Sequence, residues 1–169
     1  HTLEVMPPEG KFTLPEKMPD SPVVLFFAAG SGITPVISLI RHFLNEYPKG
    51  QAKLFYNNKT SDSIIFRDQL ESLKNLHMDR FSLYHLLTRE MSASDLLTGR
   101  LDADKCKAFA EHLYDIKEIS AAFICGPEGM ILNLKEGLKE LGLPEENIRF
   151  ELFGTAPVHA FTEKNVVEI

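Results

Sequence analysis

Five short apolar runs alternate along the chain with stretches in which apolar residues recur every three or four positions. The run Val23-Val24-Leu25-Phe26-Phe27 is continuous, as a strand buried on both faces requires, and Val36, Leu39, Ile40 and Phe43 follow it at helical spacing. Ala52–Tyr56 predicts a second strand, with Ser61 or Ser63 capping a helix whose inner face is Phe66, Leu70 and Leu73. Phe81–Leu87 predicts a third, followed by a loop from Thr88 to Leu101 and a helix with Cys106, Phe109, Ala110 and Leu113 on one side. Ala121–Cys125 is the fourth strand; its helix carries Met130, Ile131, Leu134, Leu138 and Leu141 and stops at Gly142 and Pro144. Ile148–Phe153 is the fifth. Strands alternating with amphipathic helices imply right-handed crossovers and a doubly wound α/β fold: a five-stranded parallel sheet, order 3-2-1-4-5, with helices on both faces.

In that order the bends after strands 1 and 4 flank the point where the sheet reverses direction, which is where such folds bind ligands. The first bend is Gly30-Ser31-Gly32-Ile33-Thr34-Pro35. Its glycines permit a tight turn and close approach of a ligand, Thr34 is expected to cap a helix beginning at Pro35, and a helix N-terminus attracts phosphate. A dinucleotide fingerprint would have a third glycine where Pro35 stands and a carboxylate after the second strand, where this chain has Asn57-Asn58-Lys59. No Gly-Lys-Ser or Gly-Lys-Thr follows, which removes the P-loop reading. The second bend is Cys125-Gly126-Pro127-Glu128-Gly129-Met130, with a thiol at a helix start, a position expected to lower its pKa; the alternative is a small buried strand residue. Lys59, Arg89 and Arg100 are expected near one another at the other side of strand 1.

Composition narrows the partners. A formal net charge of -6 argues against a nucleic-acid surface, and no apolar run approaches the roughly 20 residues that cross a bilayer. Two cysteines, Cys106 and Cys125, without a CxxC pair imply neither a disulfide framework nor a metal or iron–sulfur site, and fit a reducing cytoplasm. His42, His77, His85, His112 and His159 have no ligand-like spacing. Residues 1–21 hold Pro7, Pro8, Pro15, Pro19 and Gly10 around one alternating stretch, Leu3-Glu4-Val5-Met6, the composition of a strand end and a linker. With 169 residues, 44% of them hydrophobic, the chain can bury one full core; its opening at His1 suggests a piece of a longer protein.

Gly30-Ser31-Gly32-Ile33-Thr34-Pro35, Cys125-Gly126-Pro127 with Met130, and Phe150-Glu151-Leu152-Phe153 together resemble the ferredoxin–NADP reductase superfamily, over residues 22–153. Within it the chain is similar to the reductase components of phenylacetyl-CoA oxygenases, in which flavin, nicotinamide-nucleotide and plant-type [2Fe-2S] domains follow one another. The resemblance implies that residues 1–21, with Gly10 and Thr13 in Glu9-Gly10-Lys11-Phe12-Thr13, end a flavin-binding barrel, and that residues 154–169 lead toward an iron–sulfur domain. It implies nicotinamide-nucleotide contacts at Gly30, Ser31, Gly32, Thr34, Pro35, Gly126, Pro127 and Met130, with Cys125 beside nicotinamide C4. Glu151 would serve proton exchange and Phe153 would pack near the flavin. Thr88-Arg89-Glu90 and Leu97-Thr98-Gly99-Arg100 are similar to segments that bind the 2′-phosphate, which with Lys59 favours NADPH over NADH. The implied activity is hydride transfer from NAD(P)H to FAD and electron transfer to [2Fe-2S], for an oxygenase component. A nucleotide-sensing module without redox activity is the alternative.

Overall fold

The computed structural model describes residues 10–92 and 94–152. The five apolar runs form β1 (Val23–Ala29), β2 (Gln51–Asn58), β3 (Phe81–Leu87), β4 (Ile119–Gly126) and β5 (Ile148–Leu152). Between them run α1 (Ile33–Glu46), α2 (Arg67–Leu76), α3 (Ala103–His112) and α4 (Glu128–Glu140). All four strand pairings are parallel and the order is β3-β2-β1-β4-β5, as the alternation predicts. Several strands extend beyond their apolar runs; Ala28 and Ala29 continue β1 by pairing with Tyr56 and Asn57 on β2.

Alternate residues of each inner strand feed two cores. Phe26, Tyr56 and Phe123 pack with Val36, Ile40 and Phe43 of α1 and Leu70 of α2, while Leu25, Phe27, Phe55 and Ile124 pack with Phe109 of α3 and Leu134 and Leu138 of α4. The central strands β1 and β4, covered on both faces, therefore have no polar side. The segment before β1 joins the first core: Phe12 meets the Phe123 ring edge-on at 5.5 Å, and Arg149 of β5 donates to the Thr13 carbonyl at 2.7 Å.

Helix ends follow local chemistry. Asp102 caps α3 by accepting from the Lys105 amide at 2.9 Å, and Gly142, at φ +102°, ends the turn after α4. Two expected caps are corrected. Ser63 instead accepts from the Thr60 amide within a separate 3-10 turn, and α2 starts later, after Phe66 at φ +59°. α1 begins at Ile33, with Gly32 at the cap position; the Thr34 hydroxyl donates back to the Ser31 carbonyl at 3.0 Å. Pro35 falls at the third helical position, where a backbone N–H has no helical acceptor anyway.

Candidate functional site

The two bends meet. Gly30–Gly32 forms one 3-10 turn, entered by Gly30 at φ +52°, a conformation that favours glycine. A Cβ on Gly32 would lie 2.7 Å from the Cys125 carbonyl carbon and 3.1 Å from the Gly126 nitrogen. One on Gly126 would lie 3.2 Å from the Ala29 Cβ. Gly32 is therefore required where the bend after β1 touches the end of β4; at Gly126 the tighter neighbour is the movable end of Met130, 2.6 Å from the added carbon.

Above this contact opens a cleft of about 980 Å³ across the carboxyl ends of the strands. From the predicted set Gly30, Ser31, Lys59, Arg100, Gly126, Pro127 and Met130 line it. Gly32 and Cys125 are buried beside it, and Thr34 and Pro35 sit on the first turn of α1, outside the lining. The Arg89 amide donates to the Lys59 carbonyl at 2.9 Å, extending the β2–β3 pairing, but its side chain is not part of the wall.

Cys125 belongs to the α1-side core, with Phe123 and Ala28. The expected lowering of its pKa is corrected: burial, with Glu151 adding to it, pushes the thiol up to about 11. α4 starts three residues on and packs on the other face of the sheet, so its N-terminus does not serve this sulfur. Glu151 is the register partner of Cys125, which puts both on the same face, and it is exposed. Gly10 and Thr13 are exposed in the segment that docks on that face. Phe153 lies outside the described residues.

The structure adds polar residues that sequence reasoning did not assign to the site. Asn57, 8% exposed, donates to the Leu86 and Gly99 carbonyls at 3.1 and 3.0 Å, fixing the turn that presents Arg100. Asn58, Thr88, Asp102 and Asn133 complete much of the remaining polar wall. The signals that could have found them were a paired asparagine ending a buried strand and an aspartate three residues before a helical amide.

A parallel, doubly wound sheet with a ligand-sized cleft where its order reverses defines a nucleotide-binding α/β domain. The chain belongs to the oxidoreductase NAD-binding domain family, whose family model matches residues 26–136. It is 38% identical over 165 residues to a component of the 1,2-phenylacetyl-CoA epoxidase of Escherichia coli (strain K12), covering 98% of this chain and 46% of that protein. It is 33% identical to the ferredoxin reductase component of 3-ketosteroid-9-alpha-monooxygenase from Rhodococcus rhodochrous, covering 99% of this chain and 44% of that one. The chain thus spans less than half of either relative. Among solved structures, the CS-b5R domains of human Ncb5or in the NAD+ form superpose with a TM-score of 0.67 at 26% identity, over 78% of this chain and 37% of that one. Amycolatopsis cytochrome P450 reductase GcoB shares the fold, with a TM-score of 0.73 at 21% identity, over 87% of this chain and 42% of that one.

Proposed function

We propose that this chain is the NAD(P)H-binding domain of a flavin-dependent reductase that passes hydride from NAD(P)H to FAD and electrons on to an iron–sulfur centre. The observation that carries this reading is the glycine-on-backbone contact between the β1 and β4 bends, which leaves one cleft open above both. Residues 1–21 would end a flavin barrel, 22–153 form the nucleotide domain, and 154–169 lead to an iron–sulfur domain of the same polypeptide. The two bacterial relatives serve as components of multi-part systems, which supports a role beside an oxygenase, one acting on phenylacetyl-CoA included. Two buried, unpaired cysteines favour a cytoplasmic setting.

The residues fit the fringe of a flavin site. Thr13 is tied to β5 through Arg149, on the sheet face that carries Cys125 and Glu151. They do not fit an iron–sulfur cluster, because Cys106 and Cys125 belong to opposite cores. When bound, the flavin supplies a hydride acceptor that can release electrons singly. The chain itself supplies orientation. Gly30 and Ser31 with the first turn of α1 would take the diphosphate, and Gly126, Pro127 and Met130 the nicotinamide half, toward Cys125. Cys125, protonated and buried, would act as a packing neighbour of nicotinamide C4, with no nucleophilic role. Glu151 would exchange protons at the exposed end of β5.

Lys59 and Arg100 give the adenosine side of the cleft two cations, with Arg89 hydrogen-bonded to Lys59 through the backbone. Forked guanidinium donors suit a 2′-phosphate, so NADPH is the preferred coenzyme. Asp102 lies in the same wall, but its Oδ1 already accepts the Lys105 amide. The test is titration of this chain with NADPH and NADH by calorimetry. Saturable binding is expected, tighter for NADPH; absence of binding by both would sink the proposal.

A further inference from the structure

A carboxylate ties down the loop after β2. Backbone pairing between β2 and β3 runs out in two last rungs, where the Thr88 amide donates to the Asn58 carbonyl at 3.1 Å and the Arg89 amide to the Lys59 carbonyl at 2.9 Å. Just beyond, a side chain takes over: Glu90 Oε1 accepts from the Ser61 amide at 3.0 Å and from the Ser61 hydroxyl at 3.3 Å. Hydrogen bonds to a carboxylate are roughly twice as strong as neutral ones, so the clamp outweighs either rung. Ser61 opens the 3-10 turn Ser61–Ser63, which closes on itself. The Thr60 amide donates to the Ser63 hydroxyl and the Ser63 amide to the Thr60 carbonyl, each at 3.1 Å. With the Thr60, Ser61 and Ser63 amides all taken, the turn is a strut and not a seat for an anion.

Lys59 stands just before this strut and Ser63 at its end, and both line the cleft, whereas Glu90 does not. The Lys59 backbone is thus held from one side by its rung to Arg89 and from the other by the clamp on Ser61. A lysine stem is flexible and its side chain here is exposed, so a fixed backbone is what limits where the ammonium can reach. Glu90 follows Arg89 in the chain, yet among the described residues it forms no ion pair with Lys59, Arg89 or Arg100. Its carboxylate is engaged by an uncharged serine, which leaves those cations for a ligand. We infer that Glu90 is a positioning residue, which through Ser61 fixes the Lys59 backbone so that the ammonium meets the 2′-phosphate of the coenzyme. The inference rests on the proposed nucleotide site and on its preference for NADPH. It adds a carboxylate that serves an anion site without touching the anion.

The test uses this chain with ADP-ribose and ADP-ribose 2′-phosphate, which lack nicotinamide and differ by one phosphate group. The wild type, Glu90→Gln, Glu90→Ala, Lys59→Ala and the double variant of Glu90→Ala with Lys59→Ala are titrated by calorimetry, with thermal melting of each in the absence of nucleotide. Glu90→Ala is expected to bind the 2′-phosphate form about threefold more weakly, as for misdirecting one exposed cation, with ADP-ribose affinity unchanged. Glu90→Gln keeps an oxygen that can accept both Ser61 donors, so it should bind the 2′-phosphate form at least as tightly as wild type. In the Lys59→Ala background Glu90→Ala should change neither affinity further, because it acts through that lysine. Tighter binding of the 2′-phosphate form by both Glu90 variants would make the carboxylate a source of repulsion only and overturn the inference. Loss of both ligands in step with a lowered melting temperature in Glu90→Ala would make it a structural prop and overturn it too, as would a further loss in the double variant. A wild type that gains nothing from the 2′-phosphate would overturn the NADPH preference and this role for Glu90 with it; one that binds neither ligand would overturn the nucleotide site itself.

Discussion

The Tyr56 hydroxyl donates to the Gly30 carbonyl at 3.0 Å, joining the end of β2 to the turn that opens the cleft. Tyr56 is otherwise wholly inside the α1-side core, and burial raises its pKa, so the hydroxyl stays protonated at neutral pH. The bond holds a turn entered through a left-handed glycine. Tyr56→Phe is expected to cost about 0.5–1.5 kcal/mol of stability and to weaken ADP-ribose binding several-fold, because the Gly30–Ser31 amides lose their fixed direction. Urea unfolding and calorimetry on the same samples check it. Equal midpoints and equal affinities would remove the role assigned to this bond.

Gly32→Ala tests the meeting of the two bends. The added Cβ runs into the backbone of Cys125, which cannot move aside as a flexible side chain would. Gly32 has φ -60°, so the expected loss, about 1–3 kcal/mol, is steric and owes nothing to backbone strain. Gly129→Ala is the control: it lies in α4 with nothing within 4 Å of a new Cβ, and should stabilise by about 0.5–1 kcal/mol through helix propensity. Thermal melts that rank the two variants the other way would show that the β1 and β4 ends are not in contact.

Arg100→Ala addresses coenzyme choice. Its position is set by the turn before it, where Gly99 donates to Leu87 at 2.9 Å and accepts from Asn57. A guanidinium that binds a 2′-phosphate matters only to the coenzyme that has one. NADPH affinity should fall about tenfold or more while NADH affinity stays put. Lys59→Ala, which removes a point charge and no forked donor, should lose less. Equal losses for both coenzymes in Arg100→Ala would refute the 2′-phosphate assignment.

His85 gives the acid limb of stability. Its ring faces Tyr56 on β2 and Glu71 on α2, the latter at 3.9 Å, with Arg67 and Lys74 on the same helix. Burial lowers its pKa, more than Glu71 raises it. The unfolded chain therefore takes up a proton near pH 6.5 that the folded chain resists, and stability should decline as pH falls below that value. In His85→Phe the decline between about pH 7 and 5 should shrink in urea-unfolding midpoints, since the carboxylates begin to titrate only lower. An unchanged slope would show that the ring opens to water.

The strand order and the meeting of the two bends could be read from the alternation of runs, because short crossovers and buried strands leave few arrangements of five units. What the pattern could not give is which face each residue takes. Val23–Phe27 and Ala121–Cys125 are apolar at every position, so nothing in them distinguishes Cys125 toward α1 from Cys125 toward α4. The sulfur's elevated pKa follows from that hidden choice. The helix start at Ile33 was obscured by Thr34-Pro35, a pair that imitates a cap while the true cap position is held by a glycine packed on another strand. Asn57 and Asn58 look alike in sequence, yet strand alternation sends the Asn57 amide to the Leu86 and Gly99 carbonyls and puts Asn58 on the Tyr56 side of β2.

The thiols govern the alkaline limb. Cys106 is buried in the α3–α4 core, its sulfur 3.5 Å from the Tyr114 hydroxyl, and burial pushes it up to about 11, as burial does for Cys125. Each folded thiol keeps its proton above the ordinary value of 9.0, at which the unfolded chain gives it up. Stability from this source is full below pH 9.0 and is lost as pH rises toward 11, by on the order of 2–3 kcal/mol for Cys106 and by less for Cys125, which lies nearer the surface. Tyr56 and Tyr114, also raised by burial, act in the same direction from about pH 10 upward. In Cys125→Ala the fall in urea midpoint between about pH 8.5 and 10 should be shallower than in wild type, and iodoacetamide at about pH 8 should leave both thiols of the folded protein unmodified until urea unfolds it. Rapid alkylation of Cys125 in the folded chain would show an ionised, accessible sulfur and contradict the packing role proposed for it beside the nicotinamide.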